Sequence, residues 1–441
     1  MITTAKRERL ICENLTRDTA GELCLAGVPL SSLAKEYGTP LYLYDEERIR
    51  ERCKTYLSAV RAAFGENSQV LYASKAASFK RLYEIMKDEG MGIDVVSRGE
   101  IYTARLAGFP LCRAYFHSNN KTDEDITYAI DAGVGCFVVD NAEELYAINE
   151  MAGERKVKQK VLLRITPGID PHTYAAVATG KVDSKFGSAI ETGQAKEITE
   201  LALSLPSIDL LGFHCHVGSQ IFDADVYLST GDIMLSFVAD MQRELGFTAR
   251  ELDIGGGLGV RYVADQPTVD IEKTVLTVGE SMRKRARELD IELPKIALEP
   301  GRSIVADAGL TLYTVGTVKR IPGYKSYVSV DGGMTDNPRY ALYGSPYTIL
   351  PVMGEIPPEN EQMSVVGRCC ESGDILQENV PLPKDIKRGD LLACLTTGAY
   401  HYSMASNYNK ITRPPVVMLK DGQSYIAVRG ETVEDLASHD V

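Results

Sequence analysis

The chain carries no apolar run long enough to cross a membrane, and its opening stretch, MITTAKRERLICENL, lacks the apolar core of a secretory signal. It also lacks any CxxC pair. Its nine cysteines (Cys12, Cys24, Cys53, Cys112, Cys136, Cys215, Cys369, Cys370 and Cys394) form an odd, scattered set. Such usage suits a reducing compartment with thiols as small core residues, so a cytoplasmic location and no bound metal are expected. Basic residues are in deficit: 48 Lys and Arg face 61 Asp and Glu, a net charge of −13. That balance argues against nucleic acid or an anionic membrane as partner. An anionic ligand must therefore be held by local features, such as backbone N–H groups or individual arginines. No long linker, low-complexity segment or internal repeat interrupts the chain.

At 441 residues, 44% of them hydrophobic, the chain is long for one domain, and two are expected. Apolar, β-branched runs recur at 70–73, 93–96, 114–117, 136–139, 161–165, 210–216, 251–254 and 295–298, with helical patterns between them. This α/β alternation predicts a (β/α)8 barrel over residues 46–303. A doubly wound open sheet is the competitor, because counting strands does not demonstrate closure. From residue 304 the rhythm changes to short strands and turns, among them a hairpin over 416–428 around Asp421-Gly422. Residues 304–441, with 1–45 and its strand near Leu41, are expected to form an antiparallel β domain, sandwich-like or barrel-like.

The chemistry gathers where polar residues follow strands, since those ends converge on one barrel mouth. Lys75 follows the first strand between the small residues Ala73, Ser74, Ala76 and Ala77. A lysine in a pocket can form a Schiff base with a carbonyl compound, and pyridoxal phosphate is the commonest cofactor held that way. A solvated surface charge is the plain alternative. Gly255–Gly259, GGGLG, follows the seventh strand, where backbone N–H groups can approach a phosphate; it lacks GxGxxG spacing, and a tight turn is its bland reading. His214 and His216 lie two apart and could share a strand face, but no carboxylate stands near them in sequence. His216 suits stacking on a flat cofactor better than metal binding. Glu299, in EPGR, suits pairing with a pyridine nitrogen, although an ion pair with Arg302 would also explain it. Cys370, in a glycine-rich acidic loop, is a candidate proton donor, with a buried thiol as the default for either neighbouring cysteine.

Eight motifs lie in order along the chain. They are YASKA around Lys75, SKFG at 184–187, HVGSQ at 216–220, GGGLG, EPGR, DGGMTDNPRYALYG at 331–344, CESGD at 370–374 and GAYHYSMASNYN at 398–409. Together they resemble the diaminopimelate decarboxylases, a family of barrel-type pyridoxal-phosphate enzymes, over residues 22 to 430. Alanine racemase is a more distant relation. The resemblance implies decarboxylation of meso-diaminopimelate to L-lysine in a homodimer with shared active sites. It implies that Lys75 holds the cofactor, His216 stacks on its ring, Glu299 pairs with its nitrogen, and Ser219, Gly257 and Gly301 bind its phosphate. Tyr400 would reach cofactor and substrate, Arg302 would serve both, and Arg302, Arg339 and Tyr343 would hold the substrate's distal carboxylate. Cys370, as proton donor, and Glu371, on the distal ammonium, would come from the second subunit.

The sequence departs from the family pattern at Tyr340, Ser345-Pro346 and His401, positions that would tune specificity rather than the bond-breaking chemistry. Rival readings are a decarboxylase of ornithine, arginine, D-lysine or a carboxylated polyamine precursor, a racemase, and a non-catalytic cofactor carrier. The two arginines with Glu371 suit a distal group bearing both charges, and intact Cys370, Arg302 and Tyr400 weigh against loss of catalysis.

Overall fold

The structure, a computed structural model, describes residues 10–169 and 185–441. The N-terminal residue range 1–9 and Ser184 of the SKFG motif lie outside the described residues. The chain divides into two compact units, one of Arg52–Gly259 with Thr268–Gly301 and the other comprising the remaining segments. Val260–Pro267, within the range expected to be barrel, clusters with the second unit.

In the second unit, β1 (Leu15–Arg17), β2 (Leu23–Leu25) and β3 (Val28–Pro29) make a small antiparallel sheet, and β4 (Leu41–Asp45) joins a larger one. The barrel unit follows with β5 (Gln69–Ala73), β6 (Gly92–Val95), β7 (Ala114–Phe116), β8 (Cys136–Val139) and β9 (Gln159–Thr166). It continues with β11 (Ile208–His214), β12 (Glu251–Asp253) and β13 (Lys295–Leu298), while β10 (Ser188–Ala189) lies on β9. Every neighbouring pair is parallel, β13 pairs with β5, and β8 pairs with β9, so eight strands close on themselves. The open-sheet alternative is thereby excluded. All eight coincide with the apolar runs, as expected for strands covered on both faces.

Contacts across the barrel show which residues point inward. Tyr115 on β7 donates its hydroxyl to Glu251 Oε1 on β12 at 2.6 Å, and these strands are not neighbours. Leu71, Tyr115, Cys136, Val138 and Leu162 form an apolar cluster drawn from β5, β7, β8 and β9. Glu251 opens β12 and Glu299 follows β13, so they mark opposite ends of the barrel.

The larger sheet of the second unit runs β18-β17-β15-β14-β4-β20-β21, comprising β14 (Gly309–Arg320), β15 (Ser326–Val330), β17 (Asn360–Val366), β18 (Ile375–Pro383), β20 (Val416–Lys420) and β21 (Gln423–Val428). β19 (Leu391–Leu395) pairs with both β14 and β16 (Ile349–Pro351). The sheet is mostly antiparallel, but β4 with β20 and β15 with β17 are parallel. Period-two alternation along β14 feeds two cores: Leu310 and Leu312 pack with Leu41, Leu43, Val417 and Leu419, whereas Tyr313 and Val315 pack with Val328, Met363 and Val365. The Asp421-Gly422 turn has positive φ at both residues, 51° and 74°, the conformation a two-residue hairpin needs.

Candidate active site

Within the barrel unit, Lys75 is the exposed residue in a stretch otherwise buried from Val70 to Ala77. A single helical turn, Ser74–Ala76, ends β5 there, and Tyr72 Oη braces it by donating to Ala77 O at 2.9 Å. Its ammonium is near enough to Asp94, Glu100, His214 and His216 to influence their titration. The EPGR loop sits against the same strand end. Ala73 donates its N–H to Pro300 O at 3.1 Å, and a Cβ on Gly301 would lie 2.9 Å from that of Ala73.

Three loops meet backbone to backbone beside it. A Cβ on Gly256 would stand 2.0 Å from Glu299 O, and one on Gly257 2.4 Å from Gly218 O, so side chains are sterically barred at both places. Ile221 N–H donates to Gly257 O at 2.9 Å, which seats the Ser219 loop beside Gly257. His216 lies along Gly255, whose added Cβ would be 2.9 Å from its Nδ1. Burial, with the Lys75 cation, pushes the His216 imidazole well below its usual range, so it is neutral. Behind the glycine loop a small apolar pocket is lined by Tyr56, Tyr227, Val275 and Val278.

The polar centre of the mouth is Glu299. His214 Nε2, at the end of β11, donates to Oε2 at 3.1 Å, and His117 Nε2, just past β7, lies 2.7 Å from Oε1. Burial alone would raise the Glu299 carboxyl; the two imidazoles outweigh it and hold the group well below its usual range. Burial meanwhile lowers His214 and raises Asp253 well above the ordinary carboxylate value, with the Glu299 charge adding to the latter. Asp94 is pushed up to about 6 by burial, with His117 opposing the shift. The ligand atoms of His117, His214 and Glu299 lie within 4.8 Å of one another, close enough to chelate a cation. An ionised carboxylate only accepts, however, so the His214 contact places a proton on Nε2.

These residues fit pyridoxal phosphate. Asp94 Oδ1 is a buried acceptor that takes no hydrogen bond from the chain, and the glycine cradle admits a group only at backbone level. Lys75 would hold it, His216 would face its ring, Glu299 its nitrogen, and Ser219, Gly257 and Gly301 its phosphate.

Within the second unit, Tyr400 lies between two guanidinium groups, Arg302 at 4.8 Å and Arg339 at 5.0 Å from its ring centre. Arg302 also donates to Tyr262 Oη at 2.7 Å, and Arg339 stacks on exposed Tyr343 at 4.9 Å. Both arginines are buried, at 6% and 7% exposure, which makes their charges available only to a ligand that reaches them. Cys370 and Glu371 are exposed on the loop between β17 and β18, where Cys370 N–H donates to Asn409 Oδ1 at 2.8 Å. Cys369 is different: burial and Asp374 push its thiol up to about 11. His401 is fully buried against the Tyr347 ring, and burial with the Arg339 charge keeps it neutral.

Comparison with known proteins decides the family. Residues 46–306 match the model of the pyridoxal-dependent decarboxylase, pyridoxal binding domain. Over 423 residues the chain is 43% identical to diaminopimelate decarboxylase of Bacillus subtilis, covering 96% of this chain and 95% of that one. The chain belongs to the diaminopimelate decarboxylase family. A Staphylococcus aureus member is 40% identical, with 95% of this chain and 98% of its own covered. A crystal structure of diaminopimelate decarboxylase from M. jannaschii in complex with L-lysine superposes with a TM-score of 0.90 at 33% identity, covering 97% and 98% of the two chains. Lysine/ornithine decarboxylase from Vibrio vulnificus, complexed with putrescine, is more distant at 0.75 and 25% identity, with 89% and 97% covered.

Three features escaped the reading along the chain. The carboxylate that His214 meets is Glu299, 85 residues later, and its second neighbour His117 follows β7, three strands round the barrel from β13. Tyr262, which holds Arg302, carries no motif. Asp374 organises the cysteine loop through backbone contacts that spacing does not reveal.

Proposed function

We propose that this protein is a pyridoxal-phosphate-dependent decarboxylase that converts meso-diaminopimelate to L-lysine and CO2. The observation that carries the reading is an exposed Lys75 in a buried strand end, in the same mouth as a carboxylate, Glu299, held ionised by histidines. Bound pyridoxal phosphate supplies an electron-accepting ring for the pair left behind by departing CO2. Lys75 Nζ would hold the cofactor covalently. Glu299 would keep a proton on its ring nitrogen, which strengthens the electron demand. His216 would fix the ring plane, and Ser219, Gly257 and Gly301 would anchor the phosphate end.

For the substrate, Arg302, Arg339 and Tyr343 would bind the distal carboxylate, since guanidinium groups fork onto carboxylates, and Tyr400 would orient the molecule beside them. Glu371 would take the distal ammonium, and Cys370 Sγ would deliver a proton to the α-carbon after CO2 has left. Both would serve the site of a second copy of the chain, making the homodimer the working unit. Among the described residues no helix is long and apolar enough to cross a membrane, and all nine cysteines are free. We place the enzyme in the cytoplasm on that thiol usage. The deciding experiment offers meso-diaminopimelate, L-lysine, D-lysine, L-ornithine and L-arginine in parallel. Release of CO2 from meso-diaminopimelate alone supports the reading, and preference for another substrate overturns it.

A further inference from the structure

Among the described residues, Glu299 is a buried carboxylate of the barrel mouth held below its usual range, while Asp94 and Asp253 are both pushed up. The difference lies in what touches it. His214 is 0% exposed, its Nδ1 takes no hydrogen bond from the chain, and its Nε2 donates to Glu299 Oε2 at 3.1 Å. A doubly protonated imidazole would leave a buried N–H without an acceptor, so the neutral Nε2–H tautomer is the one this pocket accommodates. His214 is itself immobile. It ends β11, in register with Arg164 on β9 and Asp253 on β12, and its ring is capped edge-on by His117 with centroids 4.9 Å apart. Asp253 Oδ1 accepts the Gly255 N–H at 2.8 Å. The result fixes Oε2 of Glu299, while Oε1 lies 2.7 Å from His117 Nε2.

We infer that His214, seconded by His117, is a positioning residue that locks Glu299 as a carboxylate able to accept a hydrogen bond from the protonated ring nitrogen of the cofactor. His214 touches neither cofactor nor substrate in this role; it acts through Glu299. The inference rests on the cofactor reading above, because it assigns Glu299 to the ring nitrogen.

The role separates from a merely structural one by changing the cofactor rather than the reaction. Equilibrium affinities are measured for pyridoxal 5′-phosphate and for its 1-deaza analogue, whose ring nitrogen is replaced by C–H, on wild type, His214→Leu, His214→Gln and His117→Leu. Wild type should prefer pyridoxal phosphate. His214→Leu should lose that preference by about ten- to hundredfold, entirely through weaker pyridoxal phosphate binding, because a hydrogen bond to a charged group is lost. His214→Gln, whose amide can still donate at that reach, should retain the preference, and His117→Leu should lower it less. Should His214→Leu fail to fold, His214→Asn, with a donor one methylene short, must show the same loss of preference. Equal weakening of both ligands, or no change in their ratio, overturns the inference while leaving the decarboxylase reading intact. A wild type that releases CO2 but has no preference between the two ligands overturns the Glu299 assignment, and a wild type that binds neither overturns the cofactor reading itself.

Discussion

Cys369 donates its backbone N–H to Asp374 Oδ2 at 2.7 Å. Met334 donates to the other oxygen at 2.6 Å, and the carboxylate rests on two glycines, Gly333 and Gly367, where any Cβ would meet it at 2.7 Å or less. Asp374 thus ties the loop that carries Cys370 and Glu371 to the segment leading to Arg339. Replacing it with alanine removes two charge-assisted bonds and should cost roughly 2–4 kcal/mol of stability in chemical denaturation. A cost near zero would mean that the loop is held elsewhere.

Lys75→Ala should abolish turnover and the visible absorption of a covalently held cofactor while leaving the fold unchanged by circular dichroism. Retained activity would remove Lys75 from the chemistry.

The two adjacent cysteines should separate cleanly. Cys370 is exposed, whereas Cys369 is half-buried with its thiol pushed up to about 11 by burial and Asp374. Cys370→Ala should lower kcat by about a hundredfold or more, the usual scale for loss of a general acid, and Cys369→Ala by far less. Equal losses would contradict the assignment.

Gly256→Ala places a methyl 2.0 Å from Glu299 O, a backbone atom that cannot swing aside. The expected outcome is a destabilisation of about 1–3 kcal/mol together with weakened cofactor affinity. Gly323→Ala, where a Cβ meets nothing within 4 Å, should leave that affinity unchanged and act only through its positive φ.

Asp336 supplies a pH dependence. Burial raises its carboxyl from the ordinary 3.8 to about 7, although Tyr313 Oη donates to Oδ1 at 2.5 Å and Gly333 N–H to Oδ2 at 2.9 Å. The folded state therefore holds this proton more tightly than the unfolded chain. Its contribution is complete below about pH 4 and is lost as pH rises towards 7. Thermal melts of wild type and Asp336→Asn should show wild type losing stability relative to the variant between about pH 4 and about pH 7. A constant difference would contradict the raised value.

The barrel was legible because its strands are apolar throughout, as burial on both faces requires, and because helical stretches separate them. The second unit was harder. β18, Ile375–Pro383, carries Gln377, Glu378, a positive φ at Asn379 and two prolines, so neither alternation nor propensity marks it as a strand. β16, Ile349–Pro351, has only three residues and exists through its pairing with β19. Lys75, His216 and Glu299 could be singled out because each closes or follows a strand or sits in a compact motif. The His117–Glu299–His214 contacts could not: closure brings together residues from β7, β11 and β13, and no local pattern encodes that distance. Tyr262 escaped for the same reason, being a loop residue whose value lies in the arginine it holds.

The most direct test of the account is CO2 release by the purified protein with added pyridoxal phosphate, assayed on meso-diaminopimelate beside L-lysine, D-lysine, L-ornithine and L-arginine. The account predicts turnover of meso-diaminopimelate alone, with L-lysine as product. Turnover of another amino acid in its place, or none at all from protein with the cofactor bound, would contradict it.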